Sequence, residues 1–188
     1  MTGFVNFLKP PKMTSAQAVA LIKKLSGGQK CGHMGTLDPF ACGVLPIALG
    51  KAAKLFDYFV QKEKVYRAVF KFGVQTDTYD LDGNIIKTDN KKITLEQINR
   101  ILPDFVGTIS QLPPGYSAKR INGKRAYELA RSGQDVNLKP VEVKIYKISA
   151  QELADNEFIF DITCSGGTYI RSICRDIAQK LDTCAVMT

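Results

Sequence analysis

The sequence predicts an α+β fold with a mixed, largely antiparallel sheet flanked by helices. Segments in which apolar and polar residues alternate are typical of half-buried strands, and capped segments with apolar residues three and four apart are typical of amphipathic helices. The two kinds of segment follow one another without the strict strand-helix-strand order of a parallel sheet. With 188 residues, 45% of them hydrophobic, the chain is long enough for one well-packed core.

Three helices are predicted from their boundaries and periodicity. Thr14 begins the first with capping-box spacing, and it continues through an apolar stripe of Val19, Ile22 and Leu25. A second capping box, Thr-x-x-Gln, begins a helix over residues 94–105. A third helix follows the turn at residues 165–167. Its predicted apolar stripe consists of Ile170, Ile173, Cys174, Ile177 and Leu181.

The strands are predicted from alternation and from short apolar runs. Residues 44–49 form an apolar run that ends at a glycine and precedes a further helix through Lys54 and Tyr58. Residues 65–72 and 158–164 alternate, which predicts strands with one buried face. Asp82-Gly83 predicts a hairpin turn in the polar segment between residues 76 and 84.

The composition indicates an anionic partner and argues against membrane-spanning, secreted and metal-binding proteins. Lysine and arginine number 26 against 18 acidic residues, a net charge of +8, which indicates an anionic partner such as nucleic acid or a membrane surface. No apolar run is long enough to span a bilayer and no secretory signal is present, so we expect a soluble, cytoplasmic protein; the charge alone does not choose between the two anionic partners. Five cysteines without a C-x-x-C pair and a single histidine predict neither a disulfide framework nor a metal site.

Residues 112–140 are predicted to leave the core as a basic excursion. Prolines and glycines lie at the borders of this segment, and residues 116–131 contain five basic residues and one acidic residue. Such a segment suits contact with a polyanion.

The first candidate site is the segment 31–43, which contains His33 and Asp38 among glycines. Asp38 followed by Pro39 fits the N-cap and first position of a helix, which needs no catalytic role. The surrounding glycines favour the alternative, a loop that brings a carboxylate close to a ligand.

Two further residues have both a structural and a functional interpretation. Tyr66 begins the apolar face of a strand, where it is either a core tyrosine or a platform for a stacked base. Arg171 lies in the first turn of the third helix, with Thr168 as the expected N-cap, where the helix dipole disfavours a cation. We therefore expect an anionic partner for Arg171.

Five motifs together resemble the bacterial tRNA pseudouridine synthase B family, also called the TruB type. They occur in the order of the family and span nearly the whole chain. The motifs are KPPKMTS, GHMGTLDPFACGVLPIALGKAAKL, KVYRAVFKFGVQTDTYDLDG, YSAKRINGKRAYELAR and CSGGTYIRSICRDIAQKL. The family isomerises the T-loop uridine at tRNA position 55 to pseudouridine. The resemblance implies this activity, a pseudouridine-synthase catalytic fold, tRNA as partner, no membrane partner and no obligate protein partner.

The resemblance also implies roles for individual residues. Asp38 matches the catalytic aspartate, Arg171 the arginine that pairs with it, and Tyr66 the tyrosine that stacks on the base. His33, Tyr169 and Asp80 match positions that contact the substrate or lie near it. The segment 112–140 matches an insertion that grips RNA, in which we expect contacts from Lys119, Arg120, Lys124 and Arg125. Because the isomerisation involves no net oxidation and no water, no cofactor or metal is expected.

Three features depart from the family pattern. Lys12 stands where glycine is usual and Met34 where a small residue such as threonine is common. The family continues beyond the position of residue 188 with the end of the catalytic domain and a small RNA-binding PUA domain. We therefore expect residues 1–188 to be one truncated catalytic domain, less stable than the longer protein and of low activity alone.

Two other interpretations stay open. A guide-RNA-dependent pseudouridine synthase of the archaeal and eukaryotic type shares the catalytic motifs but lacks the basic insertion. A non-catalytic RNA-binding module explains the charge and the aromatic residues, but it gives no reason for Asp38 and Arg171 to occur together.

Overall fold

The computed structural model divides the chain into two compact units, Met1–Lys62 and Glu63–Thr188. Each unit has its own sheet, and helices accompany both. The residues that the structure describes are 1–60, 62–116, 120–121, 124–125 and 138–188.

The first unit contains a three-stranded antiparallel sheet. Its elements are β1 (Gly3–Lys9), α1 (Ser15–Leu25), β2 (Cys31–His33), β3 (Gly43–Leu49), a 3₁₀ helix (Gly50–Leu55) and α2 (Phe56–Val60). Strand β3 is central, between β1 and β2, so that Gly3 and Cys31 both lie beside Leu49. The predicted strand over residues 44–49 and the helix through Lys54 and Tyr58 are confirmed, the latter as two short helices.

Helix α1 begins with the predicted capping box. The hydroxyl of Thr14 accepts a hydrogen bond from the Gln17 amide, and the Gln17 side chain accepts one from the Thr14 amide. Ala18 and Ile22 pack against the buried residues of β3. Leu25, predicted on the same stripe, is 74% exposed because it is the last residue of the helix and lies beyond these contacts.

Met34 is explained by the packing of the first unit. Its side chain is only 2% exposed and lies in a small cluster with Ala48 and Ala52, with Phe59 at its border. Alanines on both sides leave room for the longer side chain, and a flexible thioether fills such space well.

Lys12 occupies a backbone conformation that favours glycine, with φ of +65°. A side chain in the left-handed region costs about 1 kcal/mol, partly offset by the larger unfolded-state entropy of glycine. We expect Lys12→Gly to raise the free energy of unfolding by about 0.5 kcal/mol in urea titrations. The control Lys23→Gly, in the last turn of α1, should lower it by up to about 1 kcal/mol. A Lys12→Gly variant as destabilised as this control would contradict the explanation.

The second unit is built on a five-stranded sheet. Its elements are β4 (Lys64–Phe72), β5 (Val74–Thr76), β6 (Ile85–Thr88), α3 (Leu95–Ile101) with a 3₁₀ helix (Leu102–Phe105), β7 (Gly107–Gln111), β8 (Arg120–Ile121), β9 (Lys124–Arg125), β10 (Val141–Ala154), β11 (Glu157–Cys164), α4 (Ile170–Lys180) and β12 (Ala185–Met187). The order is β12-β4-β11-β10-β7, and every neighbouring pair is antiparallel. The predicted α+β class with a largely antiparallel sheet is confirmed.

The core of the second unit follows the predicted alternation in β4. Ala68, Phe70 and Phe72 are buried, and Tyr66 on the same face is half-buried. Phe70 stacks on Phe160 of β11 with 4.3 Å between ring centroids. Helix α4 contacts β4 and β12 and buries Ile173, Cys174 and Ile177, as its predicted stripe requires.

Strand β12 is buried and paired with β4, with Ala185 opposite Phe72. The carboxylate of Asp89 holds the approach to this strand, because it accepts hydrogen bonds from the Thr183 hydroxyl and the Cys184 amide. Burial opposes ionisation of Asp89, but these hydrogen bonds outweigh it and lower the pKa of the carboxyl. The residues that follow α4 are thereby tied to the β5-β6 hairpin.

The predicted basic excursion lies largely outside the described residues. Within it, β8 and β9 pair as a short antiparallel ladder with Arg120 opposite Arg125. Lys119 lies outside the described residues. In the parts of the chain that the structure describes, no helix is both long and apolar enough to cross a bilayer.

Candidate active site

Asp38 lies in an irregular loop between β2 and β3. No helix begins in residues 34–42, and the Asp38 carbonyl accepts from the Ala41 amide at 3.1 Å, which makes a tight turn. The N-cap interpretation of Asp38 is therefore wrong, and Asp38 lies in a loop as the alternative requires; that this loop brings the carboxylate close to a ligand stays a prediction. The loop ends at Gly43, whose φ of +145° is readily available only to glycine.

Two buried side chains hold the loop on either side of Asp38. The Ser15 hydroxyl donates to the Leu37 carbonyl at 3.0 Å and accepts from the Leu37 amide at 3.1 Å. The Lys9 ammonium donates to the Pro39 carbonyl at 3.2 Å. Because the residues before and after Asp38 are both anchored, the backbone that carries this carboxylate is fixed.

Lys9 is completely buried at the end of β1. Its ammonium also donates to the carbonyls of Pro10 and Met13, at 3.0 and 2.7 Å. Burial lowers the pKa of Lys9, while the nearby Cys42 and Asp38 oppose this shift. A buried lysine with three carbonyl partners links the turn after β1 to the Asp38 loop.

We expect Lys9→Met to destabilise the first unit by about 2–4 kcal/mol, because it leaves buried carbonyls without a donor. Urea unfolding measures the loss, and hydrogen exchange at the Leu37 and Ala41 amides should show that the loop is less protected. Lys12→Met, at an exposed position three residues away, is the control and should have little effect. Unchanged stability and exchange in Lys9→Met would show that Lys9 does not hold the loop.

His33 is at the end of β2 and is half-buried. Its Nδ1 atom is in hydrogen-bond contact with the Gly35 carbonyl, which fixes the orientation of the ring. The predicted contact of His33 with RNA stays a prediction.

The second unit contains the other predicted residues. Arg171 is in the first turn of α4, but the N-cap residue is Tyr169 and not Thr168 as predicted. The Thr168 hydroxyl donates to the Ser165 carbonyl at 2.9 Å, so it closes the preceding turn and does not cap the helix. Gln111 of β7, fully buried, fixes the backbone of Tyr169 through hydrogen bonds to both its amide and its carbonyl.

Arg171 and Asp80 form a buried ion pair. The guanidinium Nη1 donates to Asp80 Oδ2 at 3.0 Å, and the two side chains are 8% and 6% exposed. Asp80 Oδ1 accepts from the Thr78 hydroxyl at 2.6 Å and from the Asp82 amide at 3.0 Å. Both oxygens of this carboxylate therefore have donors, as a buried charge requires.

Two backbone carbonyls of the second unit also accept hydrogen bonds from Arg171. Nη1 donates to the Thr78 carbonyl at 2.9 Å and Nη2 to the Tyr116 carbonyl at 3.0 Å. Tyr79, between Thr78 and Asp80, has φ of +61°, an uncommon conformation for a bulky residue. The expected anionic partner of Arg171 is thus found in Asp80. The predicted pairing of Arg171 with Asp38 of the first unit stays a prediction.

Sequence reasoning missed four polar residues that organise these sites: Lys9, Ser15, Gln111 and Arg175. Arg175 is one turn after Arg171, is also buried, and donates to the Asp176 carboxylate and the Leu112 carbonyl. Burial raises the pKa of Asp176, and Arg175 opposes this shift. The sequence did contain a signal for Arg175: it follows Arg171 by four residues, which places both arginines on one helix face.

No group of three or more His, Cys, Asp or Glu side chains in the described ranges could hold a metal ion. The first unit has a fixed loop that carries a carboxylate, and the second unit has a fixed guanidinium. Such groups suit acid-base, nucleophilic or electrostatic chemistry.

Comparison with known proteins identifies the class. Residues 23–170 match the family described as TruB family pseudouridylate synthase (N terminal domain). The chain belongs to this family, which confirms the resemblance found in the sequence.

Similar curated proteins are bacterial and named tRNA pseudouridine synthase B. The protein of that name from Clostridium perfringens strain 13 is 47% identical over 190 residues, covering 100% of this chain and 65% of the relative. The one from Caldanaerobacter subterraneus is 43% identical over 182 residues, covering 96% and 64%. The chain therefore spans slightly less than two thirds of the length of these relatives.

Similar solved structures come from protein assemblies. A chain in the crystal structure of a Cbf5-Nop10-Gar1 complex has a TM-score of 0.74 and 30% identity, covering 99% of this chain and 46% of that chain. A chain in the structure of an H/ACA RNP bound to a substrate RNA containing 2'-deoxyuridine has a TM-score of 0.71 and 28% identity, covering 99% and 45%.

Proposed function

We propose that this protein converts the T-loop uridine of tRNA, position 55, to pseudouridine. The observation that carries the proposal is the identity of 43–47% to bacterial proteins named tRNA pseudouridine synthase B over 96% or more of the chain. The fixed loop around Asp38 agrees with it, because a catalytic carboxylate must be held in position before the substrate binds. We propose that the 188 residues are one catalytic domain that includes the insertion at 112–140.

The reaction breaks the bond between C1' and N1, turns the uracil, and joins C5 to C1', with loss of the C5 proton and gain of one at N1. Asp38 is proposed as the group on which the reaction depends. Its carboxylate either attacks C1' or C6 or stabilises positive charge at C1'. Nothing in this balance needs a redox cofactor.

Arg171 is proposed to direct and stabilise the Asp38 carboxylate. Three of the five donors of its guanidinium are directed to Asp80, Thr78 and Tyr116. These contacts fix the plane of the group, and a fixed planar guanidinium favours the charged form of a nearby carboxylate and sets its direction. Asp80 is thus proposed as a positioning residue for Arg171.

Tyr66 is proposed to stack on the uracil while it is detached and turning. Tyr169, whose backbone Gln111 fixes, is proposed to line the same pocket. His33 is proposed to contact the opened loop of the RNA. Taking a base out of a folded loop costs a few kcal/mol, about the amount that stacking and phosphate contacts can offset.

The basic insertion is proposed to grip the RNA backbone. Replacing Lys119, Arg120, Lys124 and Arg125 together by glutamine should weaken tRNA binding. Each lost phosphate contact should lower the slope of log Kd against log salt concentration by about 0.7–0.9. Electrophoretic or fluorescence titration at several salt concentrations measures the slope. If the slope is unchanged, these residues do not contact the backbone.

The function is tested by measuring pseudouridine in an unmodified tRNA transcript. We define the extended chain as residues 1–188 joined to the part of the Clostridium perfringens relative beyond its matched region. Both chains are assayed without any guide RNA. Modification of the T-loop uridine alone supports the proposal. Modification only after addition of a guide RNA would support the second candidate, a guide-RNA-dependent pseudouridine synthase. The observation in favour of that candidate is the structural similarity to the chain from the Cbf5-Nop10-Gar1 complex.

A further inference from the structure

The positive charge of the protein is concentrated in its first unit. Residues 1–62 contain eight lysines and two acidic residues, Asp38 and Asp57, a net charge of +6. The other 126 residues contain eighteen basic and sixteen acidic residues, a net charge of +2. The predicted RNA-gripping insertion lies in the second, nearly neutral part. The insertion, residues 112–140, itself contains six basic and two acidic residues, so the first unit and the insertion are two separate basic regions that can attract a polyanion.

Three of the eight lysines form one cluster, which we call the lysine hollow. Lys30, Lys51 and Lys54 line an open hollow whose other residues are Gly50 and Ala53. Lys51 and Lys54 belong to the 3₁₀ helix of the first unit, where residues three apart lie one above the other. The Gly50 amide donates to the Lys30 carbonyl at 2.8 Å, which brings the third lysine to the same place.

The backbone at the hollow is fixed. Gly50 has φ of +60°, and a Cβ atom built there would lie 2.8 Å from the Met1 carbonyl oxygen. A glycine is therefore required for the chain to pass directly from β3 into the 3₁₀ helix at this point. The three lysine side chains are exposed; Lys51 and Lys54 follow this turn, and Lys30 is hydrogen-bonded to it through its carbonyl.

No carboxylate in the described residues is within ion-pair distance of these three lysines. In the second unit, by contrast, Lys71 pairs with Glu157, Lys92 with Asp155 and Lys180 with Asp104. Like charges held close together repel one another, and a bound anion relieves that repulsion. The hollow thus has the charge pattern of an anion site and not of a solvated surface network.

We propose that the lysine hollow binds the phosphodiester backbone of the RNA substrate, as a contact independent of the insertion. This inference rests on the proposed function for the identity of the polyanion. Two lysines three residues apart in a 3₁₀ helix are separated by about 6 Å along its axis, which suits neighbouring phosphates of one strand. The lining of lysine, glycine and alanine includes no large apolar side chain that would enter a bilayer, so a nucleic acid fits better than a lipid surface.

The test compares two variants with equal loss of charge. The first replaces Lys30, Lys51 and Lys54 by glutamine. The control replaces Lys71, Lys92 and Lys180, the three ion-paired lysines of the second unit. For the 188-residue chain, the affinity for a tRNA transcript is measured at several salt concentrations, together with the thermal midpoint and binding to vesicles of anionic phospholipid.

For the hollow variant we expect the slope of log Kd against log salt concentration to fall by about 2. Its affinity for tRNA at low salt should fall at least tenfold, and its thermal midpoint should not change. The control should lose less than half as much. Adding the insertion replacements to the hollow variant should lower the slope further, since the two contacts are independent. A slope equal to that of the parent overturns the inference, and so does an equal loss in the control, which would indicate a long-range effect of net charge.

The remaining outcomes separate this inference from the proposed function. If the parent binds tRNA through the hollow but the extended chain forms no pseudouridine, the catalytic proposal fails and the hollow stands. If vesicle binding is lost in the hollow variant while the RNA slope is unchanged, the hollow faces a membrane and the inference fails. If the parent binds no RNA, the inference fails; the catalytic proposal fails as well if the extended chain also forms no pseudouridine.

Discussion

Asp38→Asn is expected to abolish pseudouridine formation while leaving the fold and the affinity for tRNA nearly unchanged. Asparagine has the shape of aspartate, and the contacts that fix the loop are made by the backbone of Leu37 and Pro39, so the variant should stay within about 1 kcal/mol of the parent in stability. The amide can neither attack carbon nor carry the negative charge that the reaction needs. We expect a loss of more than about a thousandfold in turnover.

The measurement is single-turnover pseudouridine formation by the extended chain at saturating enzyme, with tRNA affinity measured in parallel. Asp57→Asn is the control, because Asp57 is the other aspartate of the first unit and is exposed on α2. It should keep the turnover of the parent. Substantial turnover in Asp38→Asn would remove Asp38 from the chemistry and leave it a purely structural residue of the loop.

Arg171→Lys is expected to be the second most damaging of the changes considered. Lysine keeps the charge but has one nitrogen, so it cannot reach Asp80, the Thr78 carbonyl and the Tyr116 carbonyl from one fixed plane. We expect a loss of about a hundredfold in turnover, equivalent to about 2.7 kcal/mol of transition-state stabilisation. The thermal midpoint should also fall, because Asp80 then lacks a well-placed partner in a buried site.

Arg175→Lys is the matched control for this change. Arg175 lies one turn further along α4, is equally buried, and holds Asp176 and the Leu112 carbonyl. The Arg175→Lys variant should lose about as much stability as Arg171→Lys but keep most of the turnover of the parent. If the two variants lose turnover to the same extent, the role of Arg171 is structural. If Arg171→Lys turns over within a few fold of the parent, the proposed pairing with Asp38 is wrong.

The features that the sequence predicted well are those with local causes. The capping boxes at Thr14 and Thr94 need only residues three positions away, and both are present. The buried face of β4 follows from alternation within one strand, which the packing of Phe70 on Phe160 confirms. The glycines nearby favoured a loop at Asp38, and the structure has a loop there; its approach to a ligand stays a prediction.

The errors arise where a distant or competing contact decides. Thr168 has the chemistry of an N-cap, but its hydroxyl bonds to Ser165 instead. Lys9 was not identified as buried, because lysine is normally exposed and its partners are backbone carbonyls, which leave no mark in the sequence. The anionic partner expected for Arg171 is present, but its identity was not predicted, because Asp80 is 91 residues away and periodicity cannot connect positions so far apart.

The most direct test of the central claim is the release of tritium from a tRNA transcript made with uridine labelled at C5. Joining C5 to C1' expels the C5 hydrogen, so release reports the isomerisation itself and not RNA binding. With the extended chain and no cofactor, metal or guide RNA added, we expect release that approaches one tritium per tRNA, that is lost when the T-loop uridine is replaced by cytidine, and that is absent in Asp38→Asn. Binding of the transcript without any release above the Asp38→Asn background would contradict the proposed function.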